Sequence, residues 1–234
     1  MEAIDNILAA GSHNFIFLGE AGSGKSEIAI NFAMYLKEHQ TKPVHFFDMD
    51  MTKPLFRSRD TREQLEQTGI SFHYEKQFMD APTLVGGVKE LLRRQDCCVV
   101  MDVGGDHIGA RSIGGIMMGY QRSGTTVYYV LNAFRPWSDD MDHIDGTLAE
   151  ILGVSHISVE ELHFINNPNI GIATGVDEVV DGCRRMEEMV TPYRPIDFAC
   201  VQEMLQQEAE ARLDMDLFPL RLHLTYPWAG QDAV

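Results

Sequence analysis

Residues 15–26 run Phe-Ile-Phe-Leu-Gly-Glu-Ala-Gly-Ser-Gly-Lys-Ser. Phe15–Leu18 reads as a short buried strand, Gly19-x-x-x-x-Gly24-Lys25-Ser26 as a glycine-rich turn, and Lys25–Glu38 as the helix that follows. This order constrains the fold more than any other segment. Such a turn points successive backbone N–H groups inward, at the start of a helix whose first N–H groups lack intrahelical partners. The result is an anion-binding cradle, the P-loop pattern. Gly19, Glu20, Ala21, Gly22, Ser23, Gly24, Lys25, Ser26 and Glu27 would then surround the phosphates of a nucleoside triphosphate. Lys25 supplies a point charge for the β- and γ-phosphates, and the Ser26 hydroxyl is a ligand for Mg2+.

The rest of the chain alternates apolar runs with longer amphipathic stretches. Candidate strands are Phe15–Leu18, Val44–Asp48, Cys98–Asp102, Val127–Leu131, Leu162–Ile165 and Ile196–Ala199. Candidate helices are Lys25–Glu38, Arg57–Gln67, Leu84–Arg94, Ala110–Gln121, Asp139–Leu152 and Asp177–Met189. Strands that are apolar throughout, alternating with helices, predict an α/β fold: a mostly parallel sheet flanked by helices on both faces, in three α/β/α layers. Right-handed crossovers then bring the strand C-termini to one edge, where ligands bind. The 234 residues, with no repeat or linker, read as a single nucleotide-binding domain. Residues 201–234 would form a C-terminal helix and edge-strand extension.

Two acidic segments fall on that edge. Asp48 and Asp50 follow the second strand and, two apart on an extended chain, point to the same side. Asp48 is assigned to the metal, and Asp50 to orienting the attacking water. Cys98-Val-Val-Met-Asp102 delivers a third carboxylate, Asp102, as a Mg2+ partner. The Gly104-Gly105 pair after it would allow close approach to the γ-phosphate, and Asp106 could cap the next helix or assist the water. Lys25, Asp50 and Asp102 are thus the catalytic candidates. Two later strands end in asparagine, at Asn132 and Asn166, and an amide can pair with the N6/N7 edge of adenine. Asn166 is assigned to the base, although Asn-Asn-Pro-Asn is also good turn chemistry.

Composition excludes several classes. A formal charge of −16 disfavours non-specific nucleic-acid binding. No apolar run reaches the length of a membrane span, and the N-terminus lacks a basic signal region. The four cysteines show no metal-binding or disulfide spacing, which suits a reducing cytoplasm.

Together these motifs resemble the CobQ/CobB/MinD/ParA group of P-loop proteins, over roughly residues 14–200. A subset of that group carries D-x-D…P-x-F-R-S-R after the second strand, which reads here Asp48-Met-Asp50…Pro54-Leu-Phe56-Arg57-Ser58-Arg59. It also carries D-V-G-G-D…G-A-R, present as Asp102–Asp106 and Gly109–Arg111, and a late turn matched by Asn167-Pro-Asn169-Ile-Gly171. The resemblance implies a Mg-dependent ATPase of the MinD/ParA-like class, binding ATP and ADP and switching a protein partner. It allows a homodimer, but the class places a dimer-bridging lysine after the first P-loop glycine, and this chain has Glu20 there. The resemblance also allows an ATP-dependent small-molecule ligase or kinase, with Lys53, Arg57 and Arg111 binding an anionic substrate. A metal-insertion GTPase fits least: adjacent Cys97 and Cys98 point to opposite sides of a strand, and no N/T-K-x-D base loop is present.

Overall fold

The computed structural model describes residues 2–50, 61–74, 87–105, 107–117 and 124–224. In chain order the elements are α1 (Glu2–Ala9), β1 (Asn14–Gly19), α2 (Lys25–His39), β2 (Val44–Met49), α3 (Arg62–Gln67), β3 (Ser71–Tyr74), α4 (Val88–Leu92) and β4 (Cys98–Val103). They continue with α5 (His107–Met117), β5 (Thr125–Leu131), α6 (Met141–Ser155), β6 (Leu162–Asn166), α7 (Val176–Val190), β7 (Ile196–Gln202), α8 (Gln206–Glu210) and β8 (Leu217–Leu220). The strands form one sheet in the order β3-β2-β4-β1-β5-β6-β7-β8, and every pairing is parallel.

That order is the three-layer α/β arrangement expected from the strand–helix alternation. From β1 the chain works outward to β2 and β3, returns to β4 beside β1, and then crosses to β5 on the other side. The reversal leaves β1 between β4 and β5, with its C-terminal end at the switch point where open α/β sheets bind ligands.

Side-chain alternation along each strand sorts the core onto two faces. Ile16, Leu18, Phe47, Met101 and Tyr129 pack against residues of α4, α5, α6 and the last turns of α7. Phe15, Phe17, Phe46, Val100 and Tyr128 face the other way, against α1, α2 and α3. Phe32 of α2 is the hub of that second face. Its ring centroid lies 4.8 Å from Phe15, 5.4 Å from Phe17 and 5.8 Å from Tyr128. Tilted and edge-on contacts of this kind fix the helix more sharply than aliphatic packing alone, and α2 carries Lys25 at its start. The cysteines are all free and buried, with Cys97 in one face of the core and Cys98 in the other.

Several boundaries differ from the sequence expectation. Ser71–Tyr74 forms an edge strand where none is expected, and α1 is likewise unforeseen. β7 runs on to Gln202, so the helix expected at the start of 201–234 shrinks to a 3-10 turn at Glu203–Leu205 and the short α8. Pro219 sits within β8, which is an edge strand and so tolerates a residue without an N–H donor. Among the described residues no helix is long and apolar enough to cross a membrane.

The edge strand β3 is held partly by a histidine pair. His45 Nδ1 lies 3.0 Å from His73 Nε2, and the His73 ring stacks on Phe47 at 4.4 Å. Such a contact needs one ring to donate and the other to accept. Burial lowers the pKa of both rings, with Arg94 adding to the effect on His45 and His45 adding to that on His73. The stability they contribute is therefore present above the ordinary histidine range and lost as pH falls through the lowered values. Thermal melts between about pH 7.5 and 5 should show a decline that His73→Phe flattens; an unchanged slope would remove the pair from the pH response.

Candidate functional site

The loop between β1 and α2 turns on Gly24, the residue before the helix, whose backbone is left-handed at φ 90°. A side chain there would be strained, and its Cβ would also collide with the Asn167 amide. No side chain caps α2.

Lys25 is 1% exposed, an uncommon state for an ammonium group. Its Nζ lies 4.0 Å from Asp50 Oδ2, itself buried. The strands explain the company it keeps. Asp48 and Asp102 are register partners on adjacent strands β2 and β4. Each is two residues beyond an apolar residue that faces α2, Phe46 and Val100 respectively, so both carboxylates emerge on the α2 side. Asp48 is 2% and Asp102 0% exposed. Asp48 Oδ1 accepts the Asp50 backbone N–H at 3.1 Å, which fixes the turn after β2. Buried carboxylates are costly unless compensated by cations or donors. Buried carboxylates and a buried Ser26 hydroxyl are oxygen donors of the kind that suit a hard divalent cation such as Mg2+.

Gly105 closes the far side of the loop. A Cβ there would stand 2.7 Å from both the Ala21 nitrogen and the Gly19 carbonyl oxygen, and 2.8 Å from the Glu20 carbonyl carbon. All three are backbone atoms that cannot rotate away. Only glycine lets the segment after β4 press against the P-loop. Asp106 and the residues Lys53, Arg57 and Arg59 lie outside the described residues, and Arg111 is exposed on α5.

Glu20 of the loop and Glu27 of α2 have side-chain partners on other elements. Glu20 bonds the Thr147 side chain of α6 and the Ala21 backbone, and burial raises its pKa. Its negative charge is thereby turned toward α6. Glu27, in the first turn of α2, accepts the backbone N–H groups of His223 and Leu224, the latter at 3.2 Å. Burial pushes its carboxyl up to about 7 against those two hydrogen bonds. The side chains of Glu20 and Glu27 are thus engaged by α6 and by the C-terminal segment.

The asparagines are also redistributed. Asn166 is fully buried and its amide donates to the Gly182 carbonyl of α7 at 3.2 Å, so the base contact assigned to it is not what the fold brings to the loop. Its neighbour Asn167 donates to the Ser23 carbonyl at 2.7 Å. Asn169 donates to the Asn167 carbonyl at 2.9 Å, and Asn132 donates to the Asn169 carbonyl at 2.9 Å. Arg135 completes the set through Nε to the Gly22 carbonyl at 3.0 Å. The segments after β5 and β6 therefore latch the P-loop from the side opposite Gly105. Asn167 was missed because the sequence shows two adjacent amides and not which of them faces the loop.

A cleft opens beside this latch. Gly24 and Glu27 line one side, Asn167, Asn169 and Gly171 another, and Val201, Gln202, Leu220 and Leu222 the floor and outer wall. It lies on the β6–β7–β8 side of Lys25, away from Asp48 and Asp102 on β2 and β4.

Residues 2–94 match the family described as magnesium chelatase, subunit ChlI. The match takes in the P-loop but stops before β4, leaving Asp102 and every later element uncovered. No curated protein matches the sequence. Among solved structures the chain resembles chloroplast FtsY from Physcomitrella patens, with a TM-score of 0.51 at 15% identity over 80% of this chain and 58% of that one. It also resembles FlhF complexed with GMPPNP and Mg2+, with a TM-score of 0.48 at 18% identity over 76% of this chain and 63% of that one. The chain thus spans less than two thirds of the length of either protein. The likeness to FtsY establishes the fold, an α/β P-loop NTPase fold with a glycine-rich loop at the end of its central strand.

Gly105→Ala tests how closely the loop is packed. With only backbone atoms to move, we expect destabilisation of about 1–3 kcal/mol in denaturant melts. A change within about 0.5 kcal/mol would mean that the segment after β4 does not rest on the P-loop.

Proposed function

We propose that this protein is a Mg-dependent ATP-binding protein of the MinD/ParA-like class, which hydrolyses ATP and works as a nucleotide switch on a protein partner. The observation that carries the reading is the buried assembly of Lys25 with Asp50, beside the in-register pair Asp48 and Asp102, at the uncapped start of α2. On this reading the chain acts as one nucleotide-binding domain, and β8 continues the same sheet as a C-terminal extension.

Chemistry at such a site is mostly positioning and electrostatics. The loop backbone and Lys25 bind the phosphates, and Lys25 meets the charge that grows on the γ-phosphoryl oxygens. Ser26, with Asp102 and Asp48 behind it, would hold Mg2+, which neutralises charge on the β- and γ-phosphates. Asp50 orients the attacking water. Gly105 holds the segment after β4 against the loop, where gain or loss of the γ-phosphate would be felt and relayed to a partner.

The loop after β6 favours adenine. Guanine presents N1–H and N2–H donors on its pairing edge, which call for a carboxylate. From Asn166 to Gly175 the chain reads Asn-Asn-Pro-Asn-Ile-Gly-Ile-Ala-Thr-Gly, without one. The Asn167 and Asn169 amides are themselves bonded to the Ser23 and Asn167 carbonyls, so on this reading they shape the base site through the loop they hold. Glu20, engaged with Thr147, gives no support to a dimer bridged across the nucleotide.

Mg-ATP should raise the melting temperature, and Lys25→Ala should abolish the shift. A shift with GTP and none with ATP would overturn the adenine assignment. Asp50→Asn should keep binding and lose hydrolysis by about 10²-fold or more; unchanged turnover would remove Asp50 from the mechanism.

A further inference from the structure

After β8 the chain continues as an extended strap, residues 221–224, laid across the first turns of α2. Two side chains one turn apart on that helix hold it. Asn31 Oδ1 accepts the Arg221 N–H at 2.9 Å, and Asn31 Nδ2 donates to the Arg221 carbonyl at 2.9 Å. Glu27 accepts two more, the N–H groups of His223 and Leu224. Four backbone hydrogen bonds therefore tie the strap to the helix that begins at Lys25.

The strap alternates as an extended segment must. Arg221 and His223 line a groove on the outer side, with Asn31, Tyr35 and Gln64. Leu220 and Leu222 line the cleft beside the P-loop, together with Gly24, Asn167 and Val201. Leu222 is 45% exposed at that cleft, and Ile170 and Ile172, on either side of the cleft residue Gly171, are exposed as well. An exposed leucine at an amide-lined cleft suits the face of a flat heteroaromatic ring better than water.

The direction of a bound triphosphate follows from the carboxylates. With its γ end toward Asp48, Asp50 and Asp102, on the β2–β4 side, its nucleoside end runs toward β6, β7 and the strap. The cleft holds about 40 Å3, less than a purine fills, so the base would lie across its mouth, against the exposed face of Leu222, and not inside it.

We propose that Glu27 is a positioning residue that fixes the 221–224 strap as the apolar wall against which the base of the nucleotide packs. The inference rests on the nucleotide-binding reading given above. It explains why a carboxylate tolerates burial one residue after Ser26: its charge is answered by strap N–H groups, and what it supplies to the ligand is the placement of Leu222.

Calorimetry on the full chain with two ligands tests this: Mg-ATP, and Mg-tripolyphosphate, which has the phosphates but no base. Glu27→Ala and Leu222→Ser should each weaken ATP by about tenfold. Tripolyphosphate affinity should stay within about twofold in both, because the phosphate cradle is untouched. Glu27→Gln, which keeps one acceptor oxygen, should recover part of the loss. Leu222 is exposed, so its variant folds even if Glu27→Ala does not. Equal weakening of both ligands would place Glu27 at the phosphates and overturn the proposal. So would unchanged ATP affinity in Leu222→Ser, or a wild-type protein that binds tripolyphosphate as tightly as ATP. A wild-type protein that binds neither ligand would sink the nucleotide-binding reading itself.

Discussion

A lysine ammonium buried at the root of α2 is the constraint around which the rest of this structure is arranged. Lys25 is removed from water and meets Asp50 at 4.0 Å, with two more buried carboxylates on the neighbouring strand ends. A charge in that setting is tolerable only where its surroundings are fixed. The fixing is visible in every direction. Phe32 and its ring neighbours anchor the helix below, Gly105 presses on the loop from the β4 side, and Asn167 and Arg135 hold it from the β5–β6 side.

Much of this was legible in the sequence because it is encoded locally. Apolar strands that end in Gly19, Asp48 and Asp102 announce both the parallel sheet and the edge to which its polar residues come. What escaped was set by distance or by register. The strand Ser71–Tyr74 alternates polar and apolar residues over only four positions, too few to separate from a loop. Asn166 and Asn167 differ by one place on an extended chain, and one place turns a side chain from α7 to the P-loop. Nothing near Glu27 hints that its partners lie almost two hundred residues later, at His223 and Leu224.

The loop glutamates show how a motif can keep its geometry while its side chains take other partners. Glu20 turns to Thr147 and Glu27 to the strap, so the two carboxyl groups in and just after the P-loop are drawn toward neighbouring elements. The likeness to FtsY reaches the fold and no further at 15% identity.

The most direct measurement is a crystal structure of the protein with Mg2+ and a non-hydrolysable ATP analogue. The account requires the γ-phosphate beside Lys25, on the side of Asp50 and Asp102, with the adenine between the Asn167–Gly171 loop and Leu222. A triphosphate bound elsewhere, or one running in the opposite direction with its base over β2 and β4, would contradict it.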